Sequence, residues 1–277
     1  MDNFLVLVIT GFLIGAFGTV IGAGGGFILV PLLIFTHPNL PAETITAISM
    51  AIVALNAISG SAAYARAKRI DFKAGWKFAL FSIPGSIAGV YVTQFIPKNV
   101  FQIAFGILLI AIALFLLLNR KQENTPAEDA IADSPGKQLH LLTDKDGHQF
   151  RYGYNKKRGI AISMVVGFIS PVLGIGGGII HVPAMIRWLH FPVPVATATS
   201  HFILAIMSLV SVLVHIAKGS YGEPGILRMV AGIGVGVVPG AFIGAYISHK
   251  IQNRTIIEVL AVCLGLVGIR ILLLHIL

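Results

Sequence analysis

A chain of 277 residues that is 56% hydrophobic and only 11% charged, with a mean hydropathy of +0.88, cannot cover a water-facing surface, so a soluble domain is excluded. The net charge of +9 sits mainly between apolar runs, where it reports membrane topology rather than nucleic-acid binding. A single cysteine, Cys263, rules out an intrachain disulfide or a thiol relay.

The first run, residues 4–35, carries no charge, yet its middle holds Gly22, Gly24, Gly25 and Gly26. Each interior glycine costs a helix roughly 0.5–1 kcal/mol relative to alanine. The pattern predicts a helix, a break, and a short half-helix over residues 27–35. Only Asp2 is charged ahead of this run and no small-x-small cleavage site precedes the glycines, so it is read as a retained segment rather than a secretory signal. Apolar runs follow at residues 44–65, 74–95 (with Lys77 inside) and 100–119. After a polar stretch come 159–186, 193–217, 229–248, and 255–277 with Glu258 and Arg270. Crossing about 30 Å of hydrocarbon takes roughly 20 residues, which makes these eight membrane segments.

The polar stretch, residues 120–158, holds eight of the twenty Lys and Arg together with six Asp and Glu. Its second half alternates around Asp146-Gly147, which suits either a small β-hairpin or a solvated linker. Basic residues at both of its ends, and the loop carrying Arg66, Lys68, Arg69, Lys73 and Lys77, predict that both face the cytoplasm. The expected organisation is a first transmembrane unit over 1–119, a linker over 120–158 and a second unit over 159–277.

The second unit reads as a copy of the first. "GAGGGFILVPLL" from Gly22 recurs as "GIGGGIIHVPAM" from Gly174, an offset of 174 − 22 = 152. "TAIS" from Thr46 matches "TATS" from Thr197 (197 − 46 = 151), and "PGSIAGVY" from Pro84 matches "PGAFIGAY" from Pro239 (239 − 84 = 155). The fold class expected is an all-α integral membrane protein of two homologous four-segment repeats with broken or re-entrant glycine-rich helices. The basic bias around the first copy is lost around the second, which favours inverted over parallel repeats and places both termini outside.

Backbone that unwinds at membrane depth must be satisfied by protein, water or ligand, so each break should line a cavity. The half-helix after it would aim free N–H groups and the positive end of its dipole into the break, a setting for an anion. Close helix packing is the alternative use of such glycines. The lack of a Lys-Ser/Thr ending and of a preceding strand argues against a phosphate loop. Candidate solute-binding residues are Gly22, Gly24, Gly25, Gly26, Gly174, Gly176, Gly177 and Gly178. Four hydroxyls at matched positions, Thr46, Ser49, Thr197 and Ser200, join them, each pair sharing a helix face or else bonding back to its own helix. His181 follows the second half-helix start and His201 follows TATS; either could carry a proton or serve as a structural histidine. Asn56, in an apolar run, needs a partner on a neighbouring helix or a solute. Arg187 reads as an interfacial anchor, and Arg270 and Glu258 are too far apart for a pair within one helix.

Two "G-x-GGG-x₄-P" motifs, Gly22 to Pro31 and Gly174 to Pro183, with the TAIS and TATS segments, resemble the TauE/SafE sulfite exporter family, also described as toluene sulfonate uptake permeases. The resemblance implies a plasma-membrane permease for sulfite, sulfonates or related anions; the enlarged linker departs from compact members. An anion channel shares this architecture, and an intramembrane protease lacks the paired aspartates or a supported serine dyad. The expected partners are a small anionic solute and the lipid bilayer, with a homodimer as the candidate assembly. No nucleic acid, cofactor or metal is expected.

Overall fold

The computed structural model describes residues 3–118, 138–248 and 254–273; the front of the polar stretch lies outside them. The elements run α1 (Phe4–Ile21), α2 (Gly26–Thr36), α3 (Ala42–Arg66), α4 (Phe72–Thr93), α5 (Lys98–Leu118), β1 (Gln138–Thr143), β2 (Gln149–Tyr154), α6 (Lys156–Leu173), α7 (Gly178–Leu189), α8 (Val193–Ala217), α9 (Pro224–Ile247) and α10 (Arg254–Leu273). Local chemistry sets several boundaries. Asn3, Asp71 and Asn155 accept backbone N–H groups at the starts of α1, α4 and α6, supplying partners that a helix start lacks. Gly22 and Gly174 end α1 and α6 in the left-handed conformation. Five of the described helices are long and apolar enough to cross a membrane, and α2 and α7 are short apolar helices. This is an all-α membrane protein carrying one small two-stranded sheet.

Helix pairs join the two halves. Between α1 and α9 the contact is a ladder of small residues: Gly232, Gly236, Gly240 and Gly244 meet Leu7, Val8, Phe12 and Ala16 in the same order, so the two helices are parallel. Helix α6 runs parallel to α4 in the same way, with Gly159 on Phe78, Gly167 on Ser82, and Gly89 on Phe168 and Pro171. In lipid, helices gain little from burying apolar surface, so close backbone approach supplies the attraction. Helices α3 and α8 are antiparallel. Lys218 Nζ reaches Glu43 Oε1 at 2.6 Å at one end, and Gly60 lies on His201 toward the other. The pair α5 and α10 is antiparallel too, Gly106 facing Gly268 and Leu272 while Gly265 faces Ala113. Leu5, Ile9, Leu13 and Phe17, four residues apart along α1, form an exposed apolar stripe suited to lipid.

Of the two readings of residues 138–154, the hairpin is what forms. Strands β1 and β2 pair antiparallel, Leu139 opposite Gly153 and Leu142 opposite Phe150, around a turn with Gly147 at φ 85°. Asp144 holds the turn by accepting the N–H groups of Asp146 and His148, each at 2.9 Å. The hairpin is docked: Tyr152 and Tyr154 are buried among Ala74 and Phe78 of α4, Met185 and Leu189 of α7, Phe191, and Val195 and Ala196 of α8. It lies beside the basic loop before α4, with Arg69 3.1 Å from Asp144.

Candidate functional site

Both glycine segments fold back on the helix before them. Ala23 and Gly24 donate to the carbonyl of Gly18 at 2.8 and 3.1 Å, and Gly25 comes to lie against Ile14 and Gly18. Helix α2 therefore returns toward the end at which α1 began. In the second half Ile175 donates to Ser170 and Gly177 lies against Val166 and Ser170, the same reversal. Gly25 (φ 85°) and Gly177 (φ 70°) cap the short helices in a region that side chains rarely adopt, and neither cap offers a side chain to the first turn.

The two breaks meet. Gly26 abuts the carbonyl of Gly174 and the backbone of Ile175, and Gly178 abuts the carbonyl of Gly22 and the backbone of Ala23. A β-carbon at Gly26 or Gly178 would overlap main chain of the opposite half, so these two glycines serve close packing. A small cavity of about 10 Å³, room for about one water, lies to one side, against the second break. Gly177, Gly178 and His181 border it, as do Ser163 of α6, Ser200 of α8 and Ser82 of α4, with Val166, Ile203, Leu204 and Met207 completing the wall.

Hydrogen bonding gives this cavity a definite polarity. Ser163 Oγ donates to the carbonyl of Gly159 at 2.8 Å and lies 3.1 Å from His181 Nε2. With its one proton committed, Ser163 accepts from Nε2–H, which leaves His181 Nδ1 as a bare acceptor. His181 Nδ1 and Ser200 Oγ are buried without a partner among the described residues. Leaving such groups unpaired costs roughly 1–3 kcal/mol each, an arrangement that a bound donor or acceptor relieves.

The first break is built from other side chains. Thr19 Oγ1 donates to Asn56 Oδ1 at 2.6 Å and Tyr64 Oη donates to the Thr19 carbonyl at 2.9 Å. Asn56 thus takes a partner on a neighbouring helix, while its Nδ2 sits by Gly18 and Gly25 with no partner among the described residues. His201 belongs here rather than beside His181: its ring lies on Gly60, which Thr19 also faces, and meets Tyr64 edge-on at 5.6 Å.

The matched hydroxyls divide. Thr46 bonds back to the Glu43 carbonyl at 2.9 Å, whereas Ser49 donates across the halves to the carbonyl of Gly174. Thr46 and Thr197 pack on Gly174 and Gly22, so each half's hydroxyl segment embraces the other half's break. Gly24 and Gly176 pack on Leu204 and Val53, apolar residues of α8 and α3. Ser82 and Ser163 escaped the sequence reading; their signal was a hydroxyl inside an apolar run, the same signal that marked Asn56. Arg187 and Arg270 lie over rings, Arg187 over Phe115 at 5.9 Å and Arg270 over Phe35 at 4.8 Å.

Below the cavity the hairpin adds a polar cluster. Tyr152 Oη donates to Asp71 Oδ2 at 2.8 Å, His140 Nδ1 is 3.2 Å from the same oxygen, and the Asp71 N–H donates to Thr199 Oγ1 at 3.0 Å. Burial and the adjacent Asp71 carboxylate hold the Tyr152 phenol well above its ordinary range.

Re-entrant half-helices meeting inside a bundle of apolar helices define a membrane protein of two interlocked halves. The chain belongs to the sulfite exporter TauE/SafE family, whose model matches residues 7–271. It is 34% identical to the probable membrane transporter protein YunE of Bacillus subtilis, covering 96% of each chain. It is 27% identical to a probable membrane transporter protein of Methanocaldococcus jannaschii, covering 97% of this chain and 95% of the relative. No solved structure matches the chain.

Proposed function

We propose that the protein is a plasma-membrane permease for small anions, sulfur oxyanions or organosulfonates foremost, and that the solute binds at the second glycine break. The observation that carries this reading is the cavity at the N-terminus of α7, with Ser200 Oγ unpartnered in it. Serine hydroxyls donate to an oxyanion without a fixed charge that would trap it, and the helix start adds a positive potential. Sulfur chemistry is supported by the family's description alone. Because the cavity holds about one water, the walls must part for an oxyanion to enter, which favours a carrier over a channel.

Proton coupling follows from His181. With Nε2–H given to Ser163, the neutral ring presents a lone pair that repels an anion, and protonation turns that nitrogen into a donor. Proton and anion then bind together.

We also read the halves as inverted repeats. The antiparallel pairs α3 with α8 and α5 with α10 support this, as does the hairpin's position beside the basic loop. Tags before α1 and after α10 should be accessible from one side of the membrane and a tag in the hairpin turn from the other.

The deciding experiment is uptake into liposomes of sulfite, thiosulfate, an organosulfonate and acetate, with an inside-acid and an inside-alkaline gradient. Saturable sulfur-anion flux driven by a proton gradient supports the reading; flux of cations or neutral solutes alone overturns it.

A further inference from the structure

We propose that the β1–β2 hairpin is a latch on the solute cavity: docked, it holds the four helices around the cavity closed on the hairpin side, and its release lets that side open. The inference rests on the cavity being the solute site. It comes from a register between hairpin contacts and cavity walls. On α4 Tyr154 meets Phe78, one helical turn from Ser82; the buried cluster that holds both tyrosines also takes in Met185 of α7, one turn from His181, and Ala196 of α8, one turn from Ser200. On α6, Gly159 receives the Phe78 ring, and Gly159 is one turn from Ser163. The Phe78 ring stands between the two sites, edge-on to Tyr154 at 5.7 Å and to His181 at 6.4 Å. The cluster built on Tyr152 and Tyr154 thus reaches α4, α7 and α8 directly and α6 through Phe78, the four helices that carry the polar wall residues.

The attachment is of a kind that can release. A two-stranded sheet is marginal alone and depends on what it docks against. Apart from the tyrosine core, the hairpin is held by polar contacts: Arg69 to Asp144 and Asp146, the Lys145 N–H to the Ala67 carbonyl at 3.0 Å, and the Asp71 cluster that ends on Thr199, next to Ser200. Withdrawing the tyrosines would loosen the ends of α7 and α8 together, since both rings pack on Phe191 between them and Leu189 and Val195 lie in the same cluster.

The test locks the latch and reads the cavity directly. In a Cys263→Ala background, Ala67→Cys with Lys145→Cys would place thiols where the two backbones already touch, and Ser200→Cys would report access to the cavity. Oxidation of the folded protein should slow labelling of the reporter by a membrane-impermeant maleimide, added from the hairpin side, about tenfold, and reductant should restore it. Without the reporter, the locked form should lose sulfite uptake reversibly. Tyr152→Ala should have the opposite effect and speed labelling; if that variant does not fold, the lock alone decides. Equal labelling in the oxidised and reduced forms would overturn the latch. If labelling responds but no anion is transported by any form, the latch stands and the anion reading falls.

Discussion

The two glycine breaks share one backbone and differ in chemistry. Both reverse the chain, both cap a short helix with a left-handed glycine, and each presses a glycine on the other's carbonyl. Around the first, Thr19 bonds to Asn56 and accepts from Tyr64, and His201 lies against Tyr64. Around the second, Ser82, Ser163, His181 and Ser200 border a small cavity. By sequence offset His181 stands where the first half has Leu29, Ser163 where it has Gly11, and Met207 where it has Asn56. The same reversal of the chain thus occurs in both halves, and a few side-chain differences leave a cavity beside only one of the two described breaks.

Adding a methyl group where the breaks touch should have the largest effect, because the shared feature is backbone contact. Gly178→Ala and Gly26→Ala would each force main chain apart, with an expected loss of about 3 kcal/mol or more, read as a fall in detergent thermal stability. Wild-type melting of both variants would break the claim that the loops abut.

The serines sharpen the contrast next. Ser49→Ala strands the buried Gly174 carbonyl and should cost about 1–3 kcal/mol of stability. Ser200→Ala removes a hydroxyl with no partner among the described residues, so melting should hold while the KM for sulfite rises about tenfold, the worth of roughly 1.4 kcal/mol in binding. If Ser200→Ala melts early and transports normally, the cavity is structural.

Giving the second break the first break's residue tests coupling. His181→Leu should leave residual anion uptake that no longer follows the proton gradient, at a stability cost of about 1 kcal/mol for the lost Ser163 bond. Retained gradient dependence would move the proton carrier elsewhere. The smallest effect should come from the reverse exchange, Asn56→Met: loss of the Thr19 bond should cost about 1 kcal/mol and leave the KM for sulfite unchanged. A change in KM would bring the first break into the site.

The reversals at Gly22 and Gly174, the half-helices and the membrane segments were legible in the sequence because each follows from local rules: glycine's tolerance of positive φ, and the length of an apolar run. The hairpin was half legible, since Asp146-Gly147 suits a turn but alternation alone does not say whether strands dock. Ser49 shows the limit. Its matched position with Ser200 suggested equal roles, yet Ser49 spends its proton on Gly174 and Ser200 keeps its own.

By itself, the sequence determined that this chain enters a membrane, where its helices break, and to which family it is kin, for these depend on composition and on residues adjacent in the chain. Tertiary structure alone decided that the breaks touch, that His181 and His201 serve different breaks, and that Tyr152 and Tyr154 lie beneath the cavity. Those facts depend on which helices pair across the halves, and in lipid that pairing is selected by close steric fit between distant segments, which no local pattern records.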